Sequence, residues 1–255
     1  MDGLLPDAQP FTSEGGPTGV LLCHGFTGSP RTLLPWAEYL AEAGLTVSLP
    51  RLPGHGTTWQ DLNRTGWTDW YGEVSRAFDE LAARSSQVFV TGISMGACLA
   101  LRLAETRGDA VAGLVLVNPS LAPDTRLFAV APVMKLIIKS LPGIAGDIKK
   151  PGASEGGYKR VPTSAAATLP ALWKTTAAAL DQVRQPILVF RSTVDHVVGP
   201  PSMRLLRSAL PDVEVRELHD SYHVATLDND APEIFSGSLE FIRTHATDTV
   251  SGSGV

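Results

Sequence analysis

Short apolar runs alternate with longer helical patterns along most of the chain, and this alternation constrains the fold more than any other feature of the sequence. The runs are rich in β-branched residues and lack an alternation of apolar and polar positions, as in VFVTG and LVLVN. Such strands are buried on both faces, as in parallel sheets covered by helices. These runs predict strands at Gly19–His24, Leu45–Pro50, Gln87–Gly92, Gly113–Asn118, Pro186–Ser192 and Val213–Leu218, with a weaker strand near Phe11–Ser13.

Helical patterns fill the intervals between these runs. They predict helices at about Thr32–Ala43, Thr68–Ala83, Met95–Thr106, Thr168–Gln182, Pro201–Leu210 and Pro232–His245. Strands separated by helices form βαβ units with right-handed crossovers. The sequence therefore predicts an α/β fold with a mostly parallel central sheet of about seven strands and helices on both of its faces. Sheets of this type carry their chemistry in the loops that follow the strands.

Residues 119–163 interrupt the alternation, because they are too long for an ordinary loop and are rich in proline and glycine. They contain a helix-like run, RLFAVAPVMKLIIKSL, with apolar residues at helical spacing. We interpret this segment as a small inserted cap with a lid over an apolar pocket; an ordinary amphipathic helix packed on the core is the alternative. The core then comprises residues 1–118 and 164–255, with residues 1–10 and 247–255 expected to be flexible tails.

The composition is that of a globular protein, with 44% apolar residues, 18% charged residues and a formal charge of −5. An isoelectric point near 5.7 argues against strong non-specific binding of nucleic acid. No apolar run approaches the ~20 residues that span a bilayer, and the start of the chain does not resemble a signal peptide, so we expect a cytoplasmic protein. Cys23 and Cys98 cannot form a disulfide framework or a four-ligand zinc site, and we expect both to be buried thiols.

The segment Gly92-Ile93-Ser94-Met95-Gly96 is the sharpest chemical signal in the sequence. It follows the predicted strand VFVT and opens a predicted helix, which is the context of a nucleophile elbow. The turn holds the serine in strained backbone angles, and side chains two positions before and after it would clash. The free N–H groups at the start of the following helix favour developing negative charge. We therefore predict that Ser94 is a nucleophile.

A serine hydroxyl needs a base to accept its proton. In enzymes with this elbow, the chain order is serine, then an acid, then histidine. Of the six histidines, His223 fits best, because it lies in DSYHV, the loop expected after the final strand. His219 lies too early to enter that loop, and His196 is interpreted as a neighbour of the acid.

The predicted acid is Asp195, which follows the strand ILVFRS in the segment STVDH. Its role would be to hold the imidazole in one tautomer and to stabilise the imidazolium. Asp181 precedes its strand and lies at the wrong end of the sheet. Asp220 and Asp228 are close to His223 in sequence, but they are interpreted as turn residues.

Acyl transfer also requires donors that face the developing oxyanion. One predicted donor is the backbone N–H of Met95, directly after the nucleophile, and the other is that of Phe26 in the loop HGFTGS. Gly25 is expected to let the backbone turn so that the Phe26 amide faces the site. His24 and His55 are interpreted as braces of their loops without a role in proton transfer.

The motifs HGFTG, GHG, GISMG, STVDHVV and SYHVATLD together resemble the α/β-hydrolase fold and, more narrowly, bacterial monoacylglycerol lipases and related small carboxylesterases. The resemblance covers about residues 11–246. It implies a Ser94, Asp195 and His223 triad with the Phe26 and Met95 amides as the oxyanion hole. It also implies that no metal or cofactor is needed and that the partner is a small lipid or ester, with transient contact to a membrane surface possible. One departure is Ala97, where a second glycine is common.

The resemblance extends to the cap, in the segments PGIAGDIKKP and ASEGGY. It implies that Glu155 accepts hydrogen bonds from the glycerol hydroxyls of a monoacylglycerol and that Ile144 packs nearby. A carboxylate in an apolar cap would suit a diol, whereas the alternative is that Glu155 is a solvated surface residue.

These observations favour a serine hydrolase that forms an acyl-enzyme, with a monoacylglycerol lipase as the main hypothesis. A carboxylesterase for short and medium esters would share every catalytic residue. A binding protein on the same scaffold is the non-enzymatic alternative, against which the triad argues. Transfer of the acyl group to an acceptor other than water also stays open.

Overall fold

In the computed structural model, which describes residues 3–123, 138–143 and 146–247, a seven-stranded sheet forms the centre of the protein. Its strands are β1 (Phe11–Ser13), β2 (Thr18–Cys23), β3 (Thr46–Leu49), β4 (Gln87–Ile93), β5 (Val111–Val117), β8 (Ile187–Ser192) and β9 (Glu214–Leu218), and a separate antiparallel pair consists of β6 (Ser140–Pro142) and β7 (Arg160–Pro162). The order in the central sheet is β1-β3-β2-β4-β5-β8-β9. Every neighbouring pair is parallel except β1 with β3. The predicted mostly parallel sheet is confirmed.

Helices connect the parallel strands, as the alternation of patterns predicted. They are α1 (Leu34–Glu42), α2 (Trp59–Leu62), α3 (Trp67–Ala82), α4 (Met95–Arg107), α5 (Thr163–Ala166), α6 (Leu169–Ala177), α7 (Pro200–Ala209) and α8 (Ala231–His245). Short 3-10 turns occur at Pro30–Thr32, Gly108–Ala110, Leu180–Gln182 and Ala225–Leu227. Sequence periodicity missed α2 and α5, because one turn of helix is too short to show a helical repeat. The long predicted helix from Thr168 is divided into α6 and the turn Leu180–Gln182.

Both faces of the sheet are buried, which explains why its strands lack in–out alternation. Leu21 and Cys23 of β2 belong to a core shared with α3 and α4. The alternate residues, Val20 and Leu22, belong to a second core shared with α1 and α8. Because successive side chains of a strand point to opposite faces, every position of β2 must be apolar or small.

The register of the strands brings their carboxyl ends to one edge of the sheet. Cys23 pairs with Gly92, Ile93 pairs with Val117, and Ser192 pairs with Leu218. The loops that carry the predicted site residues therefore leave the sheet side by side. The loops are the oxyanion loop (24–29), the acid loop (193–199) and the histidine loop (221–228).

Between β5 and α5, the described parts of the insertion are 119–123, 138–143 and 146–163, and we call residues 146–158 the cap segment. The strands β6 and β7 pair Leu141 with Val161. Most of the helix-like run lies outside the described residues, and its last two residues belong to β6 instead of a helix. The predicted position of Ile144 also lies outside them.

Residues 3–10, expected to be part of a flexible tail, contact the core in this structure. The Leu5 amide donates to the Gly56 carbonyl oxygen at 2.8 Å, and Ala8 is fully buried. At the other terminus, Thr247 bonds Gln87, and residues 248–255 lie outside the described part. Within the described ranges, none of the helices has the length and apolarity needed to cross a membrane.

Candidate active site

Ser94 lies on the sharp turn between β4 and α4, with a φ of 55° and a ψ of −119°. A non-glycine residue in this region is strained, and such strain is found at functional sites. A Cβ atom at Gly92 would lie 2.5 Å from the carbonyl carbon of Gly96, and one at Gly96 would overlap the Cys23 carbonyl oxygen. The two glycines of the elbow therefore let the turn close and let α4 approach β2.

Asp195 and His223 meet across the gap between two neighbouring strands. Asp195 Oδ2 lies 2.9 Å from His223 Nδ1, and both side chains are almost fully buried. Asp195 Oδ1 accepts the amides of Val197 at 2.9 Å and Val198 at 2.8 Å. Burial raises the pKa of Asp195, but the hydrogen bond and charge of His223, together with these two amides, lower the pKa below its ordinary value. The acid is held in its charged form.

Two residues that the sequence analysis did not single out, Asn118 and Arg191, hold the loops that carry Asp195 and His223. Asn118, at the end of β5, donates to the His223 carbonyl oxygen at 2.9 Å and accepts the Ser192 amide at 2.9 Å. It is fully buried and has a φ of 43°. Arg191 of β8 pairs with Asp195 Oδ2 at 2.8 Å and donates to the Val198 carbonyl oxygen at 2.6 Å. No motif of the sequence marked either residue, and Asn118 acts on residues that lie 74 and 105 positions later in the chain.

Phe26 and Met95, the predicted oxyanion donors, line the same cavity as Ser94. Met95 is the first residue of α4, where backbone N–H groups have no partner within the helix. The left-handed residue of the oxyanion loop is Thr27, with a φ of 64°, and not Gly25. A Cβ atom at Gly25 would lie 3.5 Å from Ser94 Cβ, so this glycine keeps space beside the nucleophile.

His24 and His55 form a buried pair beneath the oxyanion loop. Their rings lie 5.0 Å apart, and His24 Nε2 accepts the Leu52 amide at 3.2 Å. His24 Nδ1 lies 3.0 Å from the Gly25 carbonyl oxygen, to which it donates. Burial lowers the pKa of His24 to about 4 and that of His55 well below its ordinary value. Both rings are neutral and hold loops, as the sequence analysis interpreted them.

The site opens into a cavity of about 370 Å³. Ser94, His223 and Glu155 all line it. Most of the remaining wall is apolar and includes Ile93, Leu141, Val161, Leu169, Trp173, Val198 and Val224. A cavity of this kind suits an apolar ligand that carries a small number of polar groups.

Glu155 lines this cavity and is half-buried. Its Oε1 accepts the Gly146 amide at 2.7 Å. Burial raises its pKa above the ordinary value, while the Gly146 amide and the charge of His223 oppose the shift. A Cβ atom at Gly157 would lie 3.0 Å from Glu155 Oε1, so this glycine leaves space beside the carboxylate.

Two further carboxylates join the cap segment to the core. Asp228, interpreted from the sequence as a turn residue, is buried and accepts the amides of Lys149 and Tyr222 at 2.7 Å and 2.9 Å. Asp147 accepts the amides of His196 and His223 at 3.1 Å and 3.2 Å. Asp228 thus joins the cap to the histidine loop in addition to its local contacts.

Cys23 and Cys98 are buried free thiols, as predicted, and burial raises the pKa of each to about 12. In the part of the chain that the structure describes, no three His, Cys, Asp or Glu side chains gather as a metal site would require.

Residues 20–236 match the family described as the alpha/beta hydrolase family, and the chain belongs to it. Its particular relatives include the "Thermostable monoacylglycerol lipase" of Bacillus sp. (strain H-257), 42% identical over 95% of this chain and 97% of the relative. The "Carboxylesterase" of Bacillus subtilis (strain 168) is 27% identical over 92% of this chain and 96% of the relative. The family resemblance drawn from the motifs is confirmed.

Among solved structures, one from work on the metagenome-derived lipolytic enzymes LipS and LipT has a TM-score of 0.91 and 38% identity, covering 95% of this chain and 100% of the other. The monoacylglycerol lipase of Paleococcus ferrophilus has a TM-score of 0.76 and 20% identity, over 93% of this chain and 98% of the other. The latter likeness supports the fold alone.

Proposed function

We propose that the protein hydrolyses carboxylic esters through an acyl-enzyme on Ser94 and that its preferred substrate is a monoacylglycerol. The observation that carries the proposal is that a strained serine lines one largely apolar cavity together with His223, which is hydrogen-bonded to Asp195. The similarity to a monoacylglycerol lipase over 95% of the chain supports the same substrate class.

The reaction begins when Ser94 Oγ attacks the ester carbonyl carbon and His223 Nε2 takes the hydroxyl proton. The amides of Phe26 and Met95 stabilise the oxyanion of the tetrahedral intermediate. The intermediate collapses with cleavage of the bond to the alkoxy oxygen, and His223 returns the proton to the departing glycerol. A water molecule then attacks the acyl-enzyme with His223 as base, which releases the fatty acid and restores Ser94. Asp195 holds the imidazole orientation throughout and stabilises the imidazolium.

The two ends of a monoacylglycerol suit different parts of the cavity. The apolar wall formed by Leu141, Val161 and Leu169 suits the acyl chain, which gains about 0.8 kcal/mol per buried methylene. The Glu155 carboxyl, with the space left by Gly157 beside it, suits the two free glycerol hydroxyls. We propose Glu155 as the head-group residue on this ground.

A carboxylesterase of broader specificity is the second candidate. It is favoured by the apolar character of most of the cavity wall and by the similarity to a carboxylesterase over 92% of the chain. Such an enzyme would use the same serine, base and acid without a selective head-group site.

The experiment that separates the candidates compares kcat/KM for mono-, di- and triacylglycerols and for p-nitrophenyl esters of matched acyl length. A monoacylglycerol lipase should favour the monoacylglycerol over the diacylglycerol by about tenfold or more, a difference of about 1.4 kcal/mol. Equal values would favour the broad carboxylesterase. Ser94→Ala should lower turnover of every ester by about 10⁴-fold or more while the circular dichroism spectrum is unchanged. Retained turnover would refute the role of Ser94.

A further inference from the structure

The cap segment lies against both loops of the predicted acid–base pair, and Asp147 makes the contact to each. Its Oδ2 accepts the backbone amide of His196 at 3.1 Å and that of His223 at 3.2 Å. Its Oδ1 lies 2.7 Å from His196 Nδ1. The Asp147 side chain is only 8% exposed whereas that of His196 is 53% exposed, so the bond to the His223 amide is better shielded from water than the contacts with His196.

The two amides that Asp147 accepts belong to the acid loop and to the histidine loop. His196 follows the acid Asp195 directly, and His223 is the base itself. One carboxylate oxygen therefore bonds the acid loop and the histidine loop at once. The separation of those loops determines whether Asp195 Oδ2 stays 2.9 Å from His223 Nδ1.

Asp147 is itself held in place by reciprocal bonds between the cap segment and the histidine loop. Its carbonyl oxygen accepts the Val224 amide at 3.0 Å. In the opposite direction, the buried Asp228 accepts the amides of Lys149 at 2.7 Å and Lys150 at 2.8 Å. A carboxylate whose own carbonyl group and following residues are held in this way can act as a rigid spacer between two loops.

We propose that Asp147 is a positioning residue for the hydrolytic reaction: it sets the distance between the acid loop and the histidine loop, so that the cap segment is part of the catalytic framework as well as a wall of the cavity. This role rests on the proposed function, because it requires that Asp195 and His223 act as acid and base. It differs from the role of Glu155, which concerns only the glycerol end of the substrate.

The test compares two substitutions that keep the number and branching of the side-chain heavy atoms, Asp147→Leu and Asp147→Asn. Leucine removes every acceptor, whereas asparagine keeps one oxygen for the two amides and can donate from its amide nitrogen to His196 Nδ1. Kinetics are measured with p-nitrophenyl acetate, which has no glycerol, and with a monoacylglycerol. Asp220→Ala is the matched control, because Asp220 is 60% exposed and its carboxylate forms a surface ion pair with Lys149.

Asp147→Leu should lower kcat by about tenfold to a hundredfold for both substrates, because a displacement of about 1 Å at a catalytic group has effects of this size. KM for p-nitrophenyl acetate should stay within about twofold, and Asp147→Asn should keep kcat within about threefold of the unsubstituted protein. The downfield proton resonance of the His223 Nδ1–H···Asp195 bond should be present in the asparagine variant and lost or shifted in the leucine variant.

Several results would overturn the proposal. They are an unchanged kcat in Asp147→Leu, an equal loss in Asp147→Asn, a loss confined to the monoacylglycerol, or an equal loss in Asp220→Ala. If Asp147→Leu does not fold, Asp147→Ser takes its place and must show the same loss of kcat, since its hydroxyl is too short to bond both amides. Failure of both to fold would make Asp147 a purely structural residue. Absence of ester turnover in the unsubstituted protein, or its persistence in Ser94→Ala, would instead refute the proposed function.

Discussion

Asp195 in the core has a fully buried side chain and Glu155 in the cap is half-buried at the same site, and their surroundings shift the pKa values of these two carboxyl groups in opposite directions. Burial raises both pKa values. At Asp195 the bonds from His223 and from two backbone amides outweigh burial, whereas at Glu155 the single Gly146 amide and the charge of His223 do not. The core thus keeps its acid charged for a fixed partner, while the cap leaves its carboxyl with capacity for hydroxyl ligands.

The largest effect should come from removing the charge of the core acid. Asp195→Asn keeps the shape of the side chain but can no longer fix the His223 tautomer, so kcat should fall by about 10⁴-fold. The measurement is kcat for p-nitrophenyl acetate, with the fold checked by circular dichroism. If Asp195→Asn retained most of its activity, the charge of Asp195 would not be needed for catalysis, and the difference in pKa shift between Asp195 and Glu155 would be unrelated to turnover.

The second prediction concerns the contribution of Asn118 to the free energy of unfolding. Asn118→Ala leaves the Ser192 amide and the His223 carbonyl oxygen without their buried partner. We expect the free energy of unfolding to fall by about 2–4 kcal/mol, as measured by urea denaturation. Thr244→Ala on the exposed face of α8 is the control and should change it by less than about 0.5 kcal/mol. A change at position 118 no larger than this control would contradict the role given to Asn118.

A third prediction uses a carboxylate of the core that lies away from the cavity. Burial raises the pKa of Glu105 to about 7, although Arg102 pairs with it at 2.8 Å. The pKa of Glu105 is higher in the folded protein than in the unfolded chain. The neutral carboxyl therefore contributes its full stabilisation below pH 4.5, and this contribution is lost as the pH rises through 7. The contribution of Glu105 should therefore make the free energy of unfolding higher at pH 5 than at pH 8, by up to about 3 kcal/mol.

The comparison for Glu105 is Glu105→Gln, which should flatten that pH dependence. Glu38→Gln makes the same change at an exposed position and should leave the slope as it is. The slope is the relevant quantity, since Glu105→Gln also changes the hydrogen bond with Arg102 at every pH. An unaltered slope in Glu105→Gln would show that burial at this position does not penalise charge.

The smallest effect is expected at the cap. Glu155→Gln should lower kcat/KM for a monoacylglycerol by about tenfold, because the amide accepts fewer hydroxyl hydrogen bonds than the carboxylate. For p-nitrophenyl acetate the change should stay within about twofold. Equal losses for both substrates would remove the glycerol-binding role, and Glu38→Gln serves as the matched control.

Much of the core was predictable because it depends on local patterns. The strands β2, β4 and β9 lie within two residues of their predicted bounds, since apolar runs and turn residues define them. Ser94, Asp195 and His223 could be named because each follows such a strand, and the structure brings Asp195 and His223 into contact. Their catalytic roles stay predictions.

The supporting residues could not be predicted in the same way. Asn118 acts on a residue that is 105 positions later in the chain, and Asp147 acts on one that is 76 positions later. Asp228 looked like a turn residue because nothing local distinguishes a buried aspartate from an exposed one. Contacts of this kind arise only after the sheet has set the relative positions of its loops.

The bonds between the cap segment and the histidine loop also affect when the enzyme becomes competent during synthesis. A nascent chain that ends before the histidine loop contains the residues of the elbow and of the cap segment, but it lacks the carboxylate that accepts the Lys149 and Lys150 amides. The predicted base, His223, belongs to the same loop and is therefore synthesised well after the elbow that carries Ser94. The proposed acid–base pair therefore forms only when the histidine loop has been synthesised and has met the cap segment.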